Sequence, residues 1–381
     1  MPSTNNSKKH LLIVAFSSAA RDPRVHRQIK FLSQNFKISV AAFNPPNIEN
    51  VDFFPIRYFK ASSYIQKFYR ALSLLFNQGK AYAQRYVLED KQAFLNKHFD
   101  LVICNDAEPL PLAFELAKGA PVIFEAHEFY PRQFENLLRW RVFLKKYLTR
   151  LCKTYIPKCA GITTVCSGLA NEYKSVFGVL PLVVRSIAPM QNLAPQAPNP
   201  GIIRLVHHGG ATSSRRIELM LELMNLLDKR FTLDLMLVGE GPYYEKLHKL
   251  ALSTPRVNWL EPVPMQDLCS VTNKYDLGLF LVPPTTFNLR HCLPNKFFEF
   301  IQARLGIAIG PSPEMARLVK QYDLGVVADN FTPQALAVKL NNLSLEDISR
   351  FKQNAHVAAD DLNAEAEMKI FENYIHTLLK K

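Results

Sequence analysis

Along the chain, short continuous apolar runs alternate with stretches whose apolar residues return every three or four positions. The runs at 10–16, 37–43, 100–104, 121–125 and 161–165 predict strands. The stretches at 22–34, most of 62–97, 110–118, 131–155 and 167–176 predict helices. Strands that read as solid apolar runs, separated by helices, imply a parallel sheet covered on both faces. At 188–201 the pattern stops, because four prolines in fourteen residues remove backbone donors and fix φ. It then restarts, with strands expected at 203–208, 233–238, 257–260, 277–281, 306–309 and 325–328, each followed by a helical stretch. After about Leu345 the chain reads as helix to its end, and 362–379 carries an apolar face that must pack somewhere. The expected organisation is α/β: a first Rossmann-like domain over 1–190, a proline-rich linker at 188–201, a second such domain over 201–359, and a final segment 360–381 returning to the first.

A chain of 381 residues exceeds what one core usually covers, so length supports two domains. With 48% apolar and 21% charged residues, disorder is expected only in the polar stretch 1–9. No apolar run reaches the roughly 18–20 residues of a bilayer span, and the start lacks a signal-peptide core, so a cytoplasmic location is expected. Six cysteines, Cys104, Cys152, Cys159, Cys166, Cys269 and Cys292, form no C-x-x-C pair, which supports neither zinc nor a disulfide framework.

The net charge of +13 attracts nucleic acid, anionic lipid or phosphorylated substrate alike, so its distribution matters more than its size. Arg132, Arg139, Arg141, Lys145, Lys146, Arg150, Lys153 and Lys158 crowd one stretch, interleaved with Phe134, Leu138, Trp140, Phe143, Leu144, Tyr147, Leu148 and Leu151. That is a basic amphipathic helix over 134–158, suited to an anionic membrane surface or, equally, to a solvated face over a sheet. No nucleic-acid recognition motif accompanies the charge, so no nucleic-acid partner is expected.

The chemistry is narrowed first by what is missing. After the first strand the chain reads Ser17-Ser-Ala-Ala-Arg-Asp-Pro-Arg24 rather than G-x-G-x-x-G, which disfavours nicotinamide chemistry. A P-loop, a nucleophile elbow, H-E-x-x-H and D-x-D are also absent from the sequence. What remains are groups at the carboxyl ends of strands, where open α/β sheets place ligands. His207-His208-Gly209-Gly210 ends a strand, and Arg215-Arg216 follows as a helix begins. Glycine admits close approach, a helix N-terminus favours an anion, and arginine offers a fork, so a diphosphate fits here as well as a routine turn does. Val238-Gly239-Glu240-Gly241-Pro242 repeats the glycine turn at the next strand end. In Leu293-Pro294-Asn295-Lys296-Phe297-Phe298-Glu299, lysine and glutamate share a helical face. They suit a phosphate and a ribose, or form a surface ion pair over a core face of Phe297, Phe298 and Ile301. In the first half, Asn105-Asp106 and His127-Glu128 end two strands, and Arg21, Asp22 and Arg24 follow another, with Asp22 and Pro23 also placed to cap a helix.

Taken together, Arg21-Asp-Pro-Arg-Val25, Glu125-Ala-His-Glu128, Thr164-Val-Cys-Ser-Gly168, Gly209 to Arg215, Val238-Gly-Glu-Gly241 and Pro294-Asn-Lys-Phe-Phe-Glu299 resemble the GT-B glycosyltransferases of family 4, in order and spacing, over roughly 10–375. The resemblance implies two Rossmann-like domains facing a central cleft. The second would bind a nucleoside-diphosphate sugar and the first a glycan or lipid-linked acceptor in cell-surface polysaccharide synthesis, with retention of configuration and no metal or cofactor. It assigns Glu299 to the ribose, Arg215 and Lys296 to the diphosphate, and His127 to the sugar or departing phosphate. Gly209, Gly210, Gly239, Glu240, Gly241, His291 and Asn295 complete the expected sugar-nucleotide site. Arg21, Arg24, Asp106 and Glu128 are expected on the acceptor side. One departure stands out: where many members carry a first glutamate eight residues before Glu299, this chain has His291, so either His291 or the backbone of 289–292 takes that role or the sugar is held differently. A nucleotide-sugar 2-epimerase of the same architecture, or a non-catalytic relative that binds a glycan or a partner, are the rival readings. Binding of 134–158 to anionic lipid would place the chain on the inner face of the cell membrane.

Overall fold

The computed structural model describes residues 8–76 and 79–380; the expectation of disorder at 1–7, and the ends of the expected domains at residues 1 and 381, lie outside them. Fourteen strands among the described residues form two sheets. The first contains β1 (His10–Ala15), β2 (Lys37–Ala42), β3 (Val51–Tyr58), β4 (Tyr86–Leu88), β5 (Leu101–Asn105), β6 (Val122–Ala126), β7 (Gly161–Thr164) and β8 (Leu182–Val183), in the order β4-β3-β2-β1-β5-β6-β7-β8. The second contains β9 (Ile203–Gly210), β10 (Phe231–Val238), β11 (Val257–Leu260), β12 (Leu277–Phe280), β13 (Gly306–Ile309) and β14 (Gly325–Val327), in the order β11-β10-β9-β12-β13-β14. Every pairing is parallel except β3 with β4. The central strands are the solid apolar runs: Leu11 to Val14 of β1 are wholly buried, as a strand covered on both faces requires.

Three strands depart from the sequence expectation. The eight residues of β3 include Pro55, which argues against a strand because it cannot donate to a ladder. Here the Pro55 carbonyl accepts from Glu89 N, on the side where β4 has already ended at Leu88, so the missing N–H interrupts no pairing. β4 is three residues long and lies inside the stretch expected to be mostly helical, which instead divides into the helices Tyr64–Phe76, Lys80–Ala83 and Lys91–Leu95. β8 has only two residues. Neither is long enough to show a period. The helix expected from 131 starts later, as Leu138–Tyr155, after a 3-10 turn at Tyr130–Arg132.

The chain divides into two compact units, residues 1–185 with 286–288 and 368–381, and residues 186–285 with 289–367. The proline-rich 188–201 belongs to the second unit rather than standing free between two domains. Its polar backbone is satisfied from within: Gln191 N donates to Gln302 Oε1, the buried Arg304 donates to the carbonyls of Gln191 and Leu193, and Asn273 donates to that of Ala194. In the first unit, the end of the helix Ala364–Leu379 places Phe371, Ile375 and Leu378 in the same core as Leu11, Ile13 and Val40. Gly161 in β7 leaves room for this helix, since a Cβ there would lie 2.3 Å from Tyr374 Oη.

The second unit uses the same device beneath its candidate site. The helix Asn295–Gln302 lies over β12, and a Cβ on Gly278 would stand 2.2 Å from the Phe300 ring. Gly278→Ala is therefore expected to lift this helix and lower stability by about 1–3 kcal/mol, the usual cost of overpacking. Denaturant unfolding followed by circular dichroism would read the loss, and an unchanged midpoint would show that the helix yields freely.

Candidate active site

In both units the residues of interest gather at the carboxyl ends of central strands, each unit building its own cluster.

In the second unit β9 and β10 end side by side, with Gly209 opposite Leu237 and Gly210 opposite Val238, so the turns at 209–210 and 239–241 are neighbours. Gly209 has φ +104, a conformation that favours glycine. A Cβ built there would sit 3.2 Å from Lys296 Nζ and 3.9 Å from Arg215 Nη1, and one on Gly210 would sit 3.4 Å from the same Arg215 atom. Two cations thus converge on the space that the glycines leave open. Arg215 is held by its bond from Nη1 to the Gly210 carbonyl at 2.8 Å, which commits one of its five donors.

Lys296 is only 6% exposed, which rules out a surface ion pair with Glu299. Its Nζ donates to the His208 carbonyl and lies 3.3 Å from His207 Nε2. His207 Nδ1 donates to the Leu279 carbonyl at 2.7 Å, so Nε2 carries the lone pair that receives Lys296. A neutral amine has two hydrogens, both spent on these partners; a third would require the charged form. Burial, reinforced by the Arg215 charge, lowers the Lys296 pKa to about 7. An anion in the adjoining space would reverse that shift. Glu299 lies three residues further along the helix, its Oε2 3.7 Å from His208 Nε2. Burial and the Lys296 charge lower His208 to about 3, so its ring is neutral.

The other expected residues of this unit divide. Gly239 is required by packing, because a Cβ would meet the Tyr244 ring at 2.8 Å, and Gly241 by its φ of +85 at the start of the helix Pro242–Ser253. Glu240 is exposed. Asn295 Oδ1 accepts from Ser186 Oγ at 3.0 Å, fastening the start of the unit. His291 Nδ1 lies 3.6 Å from Oε1 of Glu314, a buried carboxylate in the first turn of the helix Pro313–Tyr322. Glu314 was not foreseen, since Pro313-Glu314 reads as an ordinary helix start.

In the first unit a buried polar chain runs from β6 to the helix Pro23–Leu32 and back to β5. Gln28 Nε2 donates to Glu125 Oε2, leaving Gln28 Oε1 to accept from Asn105 Nδ2 at 3.0 Å. Asn105 Oδ1 is then an acceptor, and His127 Nε2, 3.3 Å away, must carry the hydrogen. The other ring nitrogen, Nδ1, is left as a bare acceptor, buried and without a hydrogen-bond partner among the described residues. Glu128 Oε2 and the hydroxyls of Ser17 and Ser18 are in the same state at this end of the sheet. Buried polar atoms seldom stay unsatisfied, so four of them on one edge mark a place that water or a polar ligand fills. Burial lowers the His127 pKa to about 4 and raises that of Glu125 to about 7, so the imidazole is neutral.

Arg24 is paired with Asp22, which caps the helix through the Arg24 N–H. Asp106 adopts φ +71 and accepts from Tyr130 Oη. Arg21 is exposed and outside this network. Gln28 and Tyr130 were missed in the sequence because only the packing of their helical elements against the strand ends brings them to Glu125, Asn105 and Asp106. Glu125 was quoted only as part of a motif.

Folded Glu125 keeps its proton up to about pH 7, while in the unfolded chain it loses it near 4.5. The folded state therefore binds more protons across this window, and stability falls as pH rises through it. Glu125→Gln removes that dependence. The variant's stability relative to wild type should grow by roughly 3 kcal/mol between pH 4.5 and 7.5, measured by urea unfolding; a pH-independent difference would show an ordinary carboxylate.

No protein-family model and no curated protein matches this sequence. Solved structures do resemble it. A glycosyltransferase from Rickettsia africae ESF-5 aligns over 98% of this chain and 99% of its own, with TM-score 0.70 and 12% identity. HepE of Anabaena, crystallised with UDP and glucose, aligns over 98% and 100%, with TM-score 0.68 and 13% identity. A TarM mutant of S. aureus, in complex with fondaparinux, α-GlcNAc-glycerol and UDP, aligns over 74% of this chain, with TM-score 0.59 and 14% identity; the match spans 55% of TarM. At these identities the likeness establishes the fold, which is the GT-B arrangement of two Rossmann-like α/β domains.

Proposed function

We propose that the protein is a glycosyltransferase that moves a sugar from a nucleoside diphosphate to an acceptor hydroxyl. The observation that carries the proposal is the convergence of Arg215 Nη1 and Lys296 Nζ on the space above Gly209, with the Glu299 carboxylate one helical turn beyond Lys296. A diphosphate supplies the anion those cations require, and a ribose supplies two hydroxyls for Glu299 to accept. As the glycosyl bond breaks, charge grows on the leaving diphosphate beside Lys296, which the bound diphosphate already holds in its charged form. On this reading His291 and Glu314, 3.6 Å apart, would meet hydroxyls of the transferred sugar. His127 takes a different part from an acid or base: with a pKa of about 4 and a bare Nδ1, it accepts a hydrogen bond from a sugar hydroxyl without removing its proton. That side also suits an acceptor glycan, near Asp106, Glu128 and Arg24.

On the resemblance to family 4, the transfer retains configuration without a metal or cofactor, the leaving phosphate itself taking the acceptor proton. The same resemblance favours a lipid-linked acceptor in cell-surface polysaccharide synthesis. The basic Leu138–Tyr155 helix supports work at the inner face of the membrane, holding anionic lipid by charge. No helix among the described residues is long and apolar enough to cross a membrane.

Two measurements test the assignment. A thermal-shift panel of nucleoside diphosphates and their sugars should give a selective stabilisation that names the base, and Glu299→Ala should remove both the shift and the transfer of a labelled sugar; stabilisation by no member of the panel would overturn the reading. Binding at pH 8 should also take up close to one proton, because Lys296 is mostly neutral in the free protein and charged beside the diphosphate, and affinity should fall as pH rises above about 7. Calorimetry in buffers of different ionisation enthalpy reads that uptake. Lys296→Met should abolish it and weaken binding roughly ten- to hundredfold, and it should also lower the stability of the free protein by about 1–3 kcal/mol, since the His208 carbonyl and His207 Nε2 lose their donor.

A further inference from the structure

We infer that the helix Tyr64–Phe76 is a membrane-inserting element, seated beside the basic helix Leu138–Tyr155 so that one surface of the first unit joins an anionic bilayer by two signals, aromatic insertion and charge.

The helix is turned inside out for a soluble domain. Tyr64 is 88% exposed, Ile65 80%, Phe68 65%, Tyr69 62% and Phe76 81%. At about 100° per residue these five span an arc of roughly 140° on one side of the helix. The side that is buried holds Ser73 and Leu74. A contiguous apolar surface of this size on a water-soluble protein marks a contact with something else. The helix is not a loose end, because it packs on the helix Leu138–Tyr155. The chain just after it is pinned there too: a Cβ on Gly79 would lie 2.5 Å from the Tyr147 ring, and Tyr82 meets Tyr147 edge to face with centroids 5.6 Å apart.

The charge around this arc selects the occupant. Neither helix carries a single acidic residue, whereas Arg141, Lys145, Lys146, Arg150 and Lys153 line one shallow depression of about 350 Å³ on the second. The same helix buries Trp140, Tyr147, Leu148, Leu151 and Cys152, so its cations are left toward solvent. Leu138 and Val142, at its start, are exposed as well. A second copy of the chain would bring its own cations against these, like charge on like, in the self-complementary manner of a two-fold contact. An anionic bilayer offers what both helices lack: lipid phosphates for the depression, and a headgroup boundary into which Phe and Ile descend while Tyr keeps its hydroxyl in water. Either signal by itself gives marginal, reversible attachment, and their combination gives a stable one. This extends the membrane part of the proposed function, and its test is independent of sugar transfer.

The test uses the full chain and flotation with phosphatidylcholine vesicles that contain or lack one third phosphatidylglycerol. Phe68→Trp places a reporter on the arc while Trp140 and Trp259 stay constant. The expected results are binding to the anionic vesicles, a blue shift of the added tryptophan on binding, and retention of part of the binding at high salt. Phe68→Ser with Tyr69→Ser and Phe76→Ser should weaken binding at least about tenfold, as should Lys145→Glu with Lys146→Glu at low salt, with circular dichroism and nucleoside-diphosphate binding unchanged in both. Failure to bind anionic vesicles would overturn the inference. So would binding that vanishes at modest salt with no spectral shift, which would mean charge alone. A dimer in sedimentation that the triple serine variant makes monomeric would also overturn it, naming a second copy as the occupant. Nucleoside-diphosphate binding in the same samples reports on the transferase reading separately.

Discussion

Lys296 is the side chain around which the second unit is arranged. Its amine lies beneath the end of β9, spent on the His208 carbonyl and the His207 ring, and that ring is itself fixed by the carbonyl of Leu279 in β12. One lysine therefore ties the helix Asn295–Gln302 to the end of a central strand while keeping its charge in reserve. Burying a cation without a full counter-ion costs free energy, which is why its pKa falls, and the arrangement is poised to recover that cost when an anion arrives. The glycines at 209 and 210 and the packing glycine at 278 all serve this placement. Each lets backbone or helix come close enough for Lys296 and Arg215 to reach the same small space.

The first unit solves a different problem with neutral groups. Its chain of Glu125, Gln28, Asn105 and His127 has one consistent direction of donation, and that direction decides which imidazole nitrogen is bare. A ring oriented in this way distinguishes a hydroxyl from a phosphate oxygen, since only the hydroxyl can donate to it.

Much of this architecture is legible from periodicity, because strands covered on both faces must be apolar throughout and helices over them must be apolar at every third or fourth place. Eleven of the fourteen strands follow from that rule alone. β3, β4 and β8 do not: one carries a proline whose missing donor happens to face no partner, and the others are too short to show alternation. The glycine turns and the Lys296–Glu299 spacing are also visible in the sequence, but their meaning is not. Whether Lys296 points outward to water or inward to a carbonyl depends on the register of a helix against a strand ninety residues earlier. Gln28, Tyr130 and Glu314 enter their clusters only through the same long-range packing.

The helix Ala364–Leu379 carries one further consequence, for the order in which the molecule can be made. Phe371, Ile375 and Leu378 belong to the core built on β1 and β2, although they lie more than three hundred residues away in the chain. A ribosome working from the N-terminus delivers the first sheet early but withholds part of its core until Leu378 has been added. The second unit, encoded in between, has all of its strands earlier than that. The usual vectorial sequence, in which the N-terminal domain folds first, is therefore inverted here: the first unit to emerge is the last that can be completed, and until then its apolar floor is in the care of chaperones or of chance.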